Sequence, residues 1–338
     1  MLEFCFRLRG TAVPLAAVVM LGMTVTAARA ESNTLRIAKQ YGLGYLQLVV
    51  MEDQKLVEKH ARQAGLGDVR VEWNTFRSSD VMNDALISGN LDFASLGLTG
   101  LITIWSKTRG NIDVRAAAGL NTMPLYLLVR GPAITSIRDF NESHRIAVPA
   151  VRVSMQATLL EMAAAEEWGI EQHRRLDPLT VSLAHPDATA MMLGGKSEIV
   201  ANFSSPPFQY RQLKDPGIRR IASSEEILGG PASFNVIGAT ARFREQNPKL
   251  YGAFLAALNE ATDFVNRDRD KAAEIYLKVT NDRSPKEEIL DIMSQPGVRF
   301  TTEVLNLGVF VDFLAKVGQL KNAPADWKQD LLFPEARR

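Results

Sequence analysis

The 338-residue chain has a single cysteine, Cys5, and it lies in an amino-terminal segment with the layout of an export signal. Arg7 and Arg9 supply a positive start, Thr11 to Val25 carries no charge, and Ala28-Arg29-Ala30 matches a small-x-small cleavage pattern. Pro14 interrupts the apolar run, which falls short of the roughly 20 residues of a membrane helix, so cleavage after Ala30 is expected rather than anchoring. A lipid-attachment cysteine would have to follow that run, and Cys5 precedes it. With residues 1–30 removed no cysteine remains, which excludes disulfides, thiolate metal sites and a cysteine nucleophile together. There is also no second apolar span, no heptad run and no low-complexity linker. Taking Glu3, Arg7, Arg9 and Arg29 from 38 acidic and 39 basic residues leaves a net charge of about −1. Without a basic stripe, neither nucleic acid nor a membrane surface is an expected partner.

Catalytic and cofactor motifs are equally scarce. His60, His144, His173 and His185 are scattered without an HExxH pairing, and no Gly-x-Ser-x-Gly elbow surrounds Ser154. Tyr41-Gly42-Leu43-Gly44 follows a strand but lacks the third glycine of a dinucleotide fingerprint. No enzyme activity, metal or cofactor is expected.

What is present is a repeat. Met82–Ser95 and Ala188–Ala201 are fourteen-residue units 106 positions apart. Leu86-Ile87 aligns with Met192-Leu193, Gly89 with Gly195, Asp92 with Glu198, and Phe93 with Ile199. Each reads as a helix stopped by a glycine, a two-residue link and a short buried strand, which is half of an α/β layer unit. Two such units imply two similar lobes enclosing a ligand.

Strands are expected at 34–38, 69–73, 93–96, 114–120, 145–149, 179–183 and 234–238, alternating with helices, then only helices from Pro248 onward. A single amphipathic helix is expected from the Tyr41–Tyr45 loop to about Ala64, with Asp80 and Thr99 as caps of later helices. This pattern predicts an α/β protein with mainly parallel sheets. Lobe 1 takes residues 31–122 and 238–338, lobe 2 takes 123–237, and the two crossing segments make a hinge. The terminal helices are expected to wrap back onto lobe 1.

In open α/β sheets a ligand sits outside the carboxyl ends of the strands, which selects loops before residues. Val151-Arg152-Val153-Ser154-Met155 is the strongest candidate, because a helix start presents unpaired N–H groups to an anion while Ser154 and Arg152 add donors. Ser154 capping only its own helix is the alternative. Arg77, beside Ser78-Ser79, can face an acidic ligand or solvent; Tyr41 and Tyr45 can wall a pocket or pack beneath their loop. The same rule selects the loops Leu98–Gly100 and Asn121–Met123 in lobe 1 and Asn202–Pro206 in lobe 2, and Thr99 shares the ambiguity of Ser154. His185, ahead of Pro186-Asp187, reads as a capping or packing residue more than a contact.

Five segments in order carry a family resemblance: Asp84–Asp92 running into Phe93–Gly97, Ile146–Ala150 followed by Ser154-Met155-Gln156, Phe203–Phe208, Gly229-Gly230-Pro231, and Phe243 with Asn247-Pro248. The resemblance covers essentially the whole mature chain. The chain resembles the periplasmic solute-binding proteins of nitrate/sulfonate/taurine-type ABC transporters, a group that includes thiamine-pyrimidine-precursor binders. The resemblance implies the two-lobed periplasmic-binding-protein fold, a monomer that closes on one small-molecule ligand, and delivery to a membrane permease driven by a cytoplasmic ATPase. By the resemblance, contacts come from the Ser78-Ser79 loop, Thr99, Thr122, Ser154 and the Asn202–Ser205 loop. A sulfonate, nitrate, carboxylate or related anion is favoured. A receptor feeding a sensor and an enzyme of thiamine-pyrimidine synthesis are the alternatives.

Overall fold

Strands and helices alternate from Thr34: β1 (Thr34–Lys39), α1 (Leu46–Asp53), α2 (Leu56–Gln63), β2 (Arg70–Thr75), α3 (Ser79–Ile87), β3 (Phe93–Gly97), α4 (Leu98–Thr108) and β4 (Val114–Thr122). The computed structural model describes residues 1–3, 30–195 and 197–337, so nearly all of the expected export signal lies outside the described residues. Next come β5 (Tyr126–Arg130), β6 (Arg145–Val148), α5 (Met155–Trp168), β7 (Thr180–Ser182), α6 (His185–Gly194), β8 (Ile199–Ser204), α7 (Phe208–Gln212), β9 (Ile218–Ser223) and α8 (Ser224–Leu228). The chain finishes with β10 (Ser233–Thr240), α9 (Ala241–Gln246), α10 (Pro248–Arg267), α11 (Arg269–Thr280), α12 (Lys286–Met293), β11 (Arg299–Phe300), α13 (Leu307–Lys316) and α14 (Trp327–Leu331).

Two sheets result, a six-stranded one in the order β11-β4-β10-β3-β1-β2 and a five-stranded one in the order β7-β6-β8-β5-β9. The strands are mostly parallel. β1 to β4 share one direction in the first sheet and β6 to β9 share one in the second, whereas β10 and β5 run against their neighbours. The reversal follows from chain geometry. Only Met123, Pro124 and Leu125 separate β4 from β5, so β5 must start where β4 stopped, at the carboxyl edge, and run back. Tyr126 at its start accordingly pairs with Ser204 at the end of β8. β10 returns in the same way, with Ser233 opposite Thr122 and Asn235 opposite Gly97.

Several expectations need correction. The boundary at 237/238 falls inside β10, which joins the first sheet from Ser233. The single helix expected up to Ala64 is two, broken at Lys55, whose backbone is left-handed with φ 50°. β9 was not expected, because Arg219 and Arg220 hide the apolar pattern of this edge strand. β11 interrupts the all-helical tail. Ser78 rather than Asp80 occupies the cap position of α3, and Gly97 rather than Thr99 that of α4.

The repeated units are α3–β3 and α6–β8, each helix ending before a glycine of positive φ, Gly89 at 72° and Gly195 at 65°. Their strands also occupy matching places, β3 beside β1 and β8 beside β6. The acidic position then meets an arginine of that neighbour. Asp92, nearly buried, accepts from the Arg36 backbone N–H at 2.8 Å and from its guanidinium at 2.9 and 3.1 Å. Glu198 lies 3.9 Å from Arg145 and is largely exposed. The terminal helices cover the first sheet, where Phe93 of β3 stacks on Phe254 of α10 at 3.7 Å.

The two copies should therefore differ in energy. Asp92→Ala strands charged donors and is expected to cost about 2–3 kcal/mol in urea unfolding. Glu198→Ala should cost under about 1 kcal/mol, as for other exposed pairs. Equal costs would show that the pair is not what anchors the first copy.

Candidate functional site

Because β5 and β10 both start at carboxyl edges, the two crossings lie together and the βα loops of both sheets face one another. The crossings are tied directly: Leu125 N–H donates to Ser224 Oγ at 2.9 Å, and Ser224 N–H to Leu125 O at 2.8 Å. Across the opposed loops, Leu43 N–H donates to Pro206 O at 3.0 Å, and Thr99 of α4 bonds Thr158 of α5 at 3.1 Å. Gln319 donates to Glu161 at 2.6 Å. Burial, with the charge of Asp177 adding to it, pushes the Glu161 carboxyl up to about 7.

These contacts enclose an inner cavity lined from both sheets. From the first sheet come Gln40, Tyr45, Ser79 and Gly97, joined by Phe234 and Asn235 of the reversed β10. From the second come Pro149, Ser154, Met155, Gln156 and His185. The Tyr45 hydroxyl donates to Asn235 Oδ1 at 3.1 Å, and burial raises its pKa. Ser79 Oγ accepts from Gly97 N–H at 3.3 Å and from Gln40 Nε2 at 3.4 Å. Ser154 caps α5, accepting from Ala157 N–H at 3.2 Å while donating to Ala150 O at 2.8 Å. The starts of α4 and α5 meet closely at the cavity, since a Cβ at Gly97 would lie 3.3 Å from Met155 Cβ. About 10 Å³ is left, the space of a single water.

His185 is the unsatisfied member. Its ring stacks on Phe208 at 5.7 Å, Nε2 sits 3.3 Å from the Gln156 amide nitrogen, and Nδ1 has no partner. Burial pushes its pKa down to about 4, so the ring is neutral at neutral pH. With the Gln156 amide donating to Nε2, the proton rests on Nδ1, leaving an unused donor.

No lining side chain carries a permanent charge. Positive potential comes instead from backbone, since Ser79 opens α3, Gly97 and Ser154 cap α4 and α5, and His185 opens α6. Four helix starts turn the positive ends of their dipoles toward the cavity, with Asp80 and Asp187 in the first turns of α3 and α6 offsetting part of that charge. Such a chamber favours an anion without a cationic side chain.

Of the sequence candidates, Tyr45, Ser79, Ser154 and Met155 line this cavity. Arg152 does not: its backbone is left-handed with φ 65°, and its exposed side chain pairs with Asp177 at 3.3 Å. Arg77 is exposed and lies outside the lining, and Tyr41 lines a neighbouring pocket. Ser78 donates to Asp80, Thr99 to Thr158, and Thr122 to Gly297 O at 3.0 Å. Asn202 pairs in register with Leu128 and Ala147, whose side chains belong to the small core with Ala188 and Met192 of α6. It lies outside the cavity lining, buried with neither side-chain polar atom partnered. Ser205 is buried but outside the lining. Sequence reasoning passed over Gln40, Gln156, Phe234 and Asn235 and underweighted His185. Gln40 and Gln156 each adjoin a candidate loop; Asn235 gave no signal, because a reversed strand brings its first residues to the carboxyl ends of its neighbours. Among the described residues no cluster of three His, Cys, Asp or Glu side chains could hold a metal.

The sequence model of the NMT1-like family matches residues 28–279. No curated protein matches the sequence. Among solved structures, the chain is similar to the alkanesulfonate-binding protein of Xanthomonas axonopodis pv. citri bound to MOPS, with a TM-score of 0.67, 19% identity, and 86% of this chain and 95% of that one covered. The periplasmic aliphatic sulphonate binding protein of Escherichia coli gives 0.63 and 20%, over 88% and 97%. The periplasmic nitrate-binding protein of Synechocystis gives 0.64 and 15%, over 88% and 83%. At these identities the likeness is one of fold, that of periplasmic binding proteins.

The depressed His185 pKa has a signed consequence. The unfolded chain binds this proton near pH 6.5 and the folded chain near pH 4, so His185 costs stability as pH falls from about 6.5 to 4. His185→Phe, which keeps a ring against Phe208, should gain stability relative to wild type over that window. A stability difference that does not vary with pH would show that the ring is not held neutral.

Proposed function

We propose, from the premise that the chain belongs to the NMT1-like family, that it is the extracytoplasmic solute-binding component of an ABC importer and takes a small organic anion. The observation that carries this reading is the uncharged chamber formed by four helix starts between two sheets, with an unused His185 donor inside. The solved structures of like fold bind sulfonate or nitrate by their descriptions, and a sulfonate is favoured here. Its three oxygens accept from convergent N–H and O–H groups without a countercharge.

The two sheets with their helices act as lobes, and the tied crossings at Leu125 and Ser224 act as the hinge. A chamber with space for one water admits a sulfonate only when the lobes part, so binding and closure are coupled. The closed form is what a membrane permease would receive, and export would place the protein in the periplasm. Nothing in the chamber resembles a nucleophile activated by a base: Ser154 gives its hydroxyl to Ala150 O, and His185 contacts Gln156 and Phe208. A binding role is therefore favoured over catalysis.

A thermal-shift panel of alkyl sulfonates, taurine, nitrate, aromatic carboxylates and a hydroxymethylpyrimidine tests the reading. A sulfonate at 100 times its dissociation constant should add roughly 2.7 kcal/mol. A response confined to the uncharged pyrimidine would overturn the anion assignment. Within the site, His185→Phe should weaken the sulfonate about tenfold or more, the loss of one hydrogen bond to a charged group. Arg152→Ala should change affinity less than about twofold, since Arg152 serves Asp177. Calorimetric titration of both variants decides between dipole and arginine recognition.

A further inference from the structure

A second and larger cavity, about 660 Å³, lies against the inner one at the β2 side of the opposed loops. That volume is in the range of small-molecule sites, whereas the inner chamber in this closed form holds one water. The two share a wall. Gln40 lines both, and His185 of the inner chamber stacks on Phe208, which lines the outer one together with Pro186. Gln40 follows β1 of the first sheet, whereas His185 and Phe208 open α6 and α7, which follow β7 and β8 of the second. Parting the lobes therefore removes the wall and joins the chambers.

The outer cavity differs in chemistry. Four of its five charged side chains are paired with one another, Lys39 with Glu52 and Arg211 with Asp282 at 2.6 Å, and Arg211 also reaches Glu288 outside the lining at 3.3 Å. Arg283 is exposed at its rim. Ring surfaces are what it adds, from half-buried Trp73, from Phe208 and from Tyr41, which is 45% exposed. Matched ion pairs do not call for a charged guest, whereas aromatic faces favour a flat apolar one.

We propose that the two chambers form one bipartite site whose substrates are organic anions with an uncharged ring-bearing tail, the head at the helix starts and the ring against Tyr41 and Trp73. This rests on the anion reading of the inner chamber. The orphaned Nδ1 of His185 marks the head position independently of the helix starts, and the Gln40 wall marks where the tail passes. A solute no larger than nitrate or an alkyl sulfonate would leave the outer cavity unused.

Ethanesulfonate and 2-phenylethanesulfonate share a head and differ only in the ring, so calorimetric titration of the full chain with each reads the tail alone. The phenyl compound is expected to bind at least tenfold tighter. Tyr41→Ala and Trp73→Leu should each shrink that ratio toward threefold, while leaving ethanesulfonate affinity within twofold. Tyr41 is exposed, so its variant should fold even if the Trp73 variant does not. Equal affinities, or a ratio unchanged in Tyr41→Ala, would overturn the bipartite site and leave the anion reading standing. Binding of neither sulfonate at millimolar concentration would overturn both readings.

Discussion

Three residues between β4 and β5 govern the rest of the molecule. So short a link cannot carry the chain around a sheet, so β5 starts at the edge where β4 ended and runs backwards through the second sheet. Once that edge is shared, every βα loop of one sheet faces those of the other. β10 closes the arrangement by returning at the same edge, and the Leu125–Ser224 hydrogen bonds hold the two crossings together. The cavity is a consequence of this connection rather than of any one binding residue.

The same constraint sets the electrostatics. Helices that follow parallel strands begin at the carboxyl edge, so α3, α4, α5 and α6 all direct their amino ends inward. An arginine in so small a space would need desolvation and an opposing charge, and it would compete with the solute for volume. Backbone dipoles impose neither demand. The charged side chains accordingly remain around the chamber in pairs of their own, Arg152 with Asp177 and Arg211 with Asp282. Glu161, held up to about 7 beside Gln319, is the exception in being buried and poorly compensated.

Local patterns were legible wherever the reason for them was local. The α3–β3 and α6–β8 units, their terminating glycines and the Ser154 cap all follow from short-range periodicity and backbone preference. The partners of Asp92 and Glu198 were not, since a tight pair and a loose one differ only in how β1 and β6 approach. Arg152 was misleading for a similar reason. It sits just ahead of the start of α5, but its left-handed backbone and the position of Asp177 turn its side chain outward.

The sequence by itself determined the α/β class, the internal repeat, some of the loops that line the cavity and the absence of cysteine after residue 30. These depend on composition and on spacings shorter than one helix and strand. The tertiary structure alone decided that β5 and β10 are reversed, that Asn235 and His185 reach the chamber, and that Arg77, Arg152 and Asn202 do not. Strand direction is set by where a crossing lands and side-chain direction by what the opposite sheet brings, and both are properties of contacts far apart in the chain.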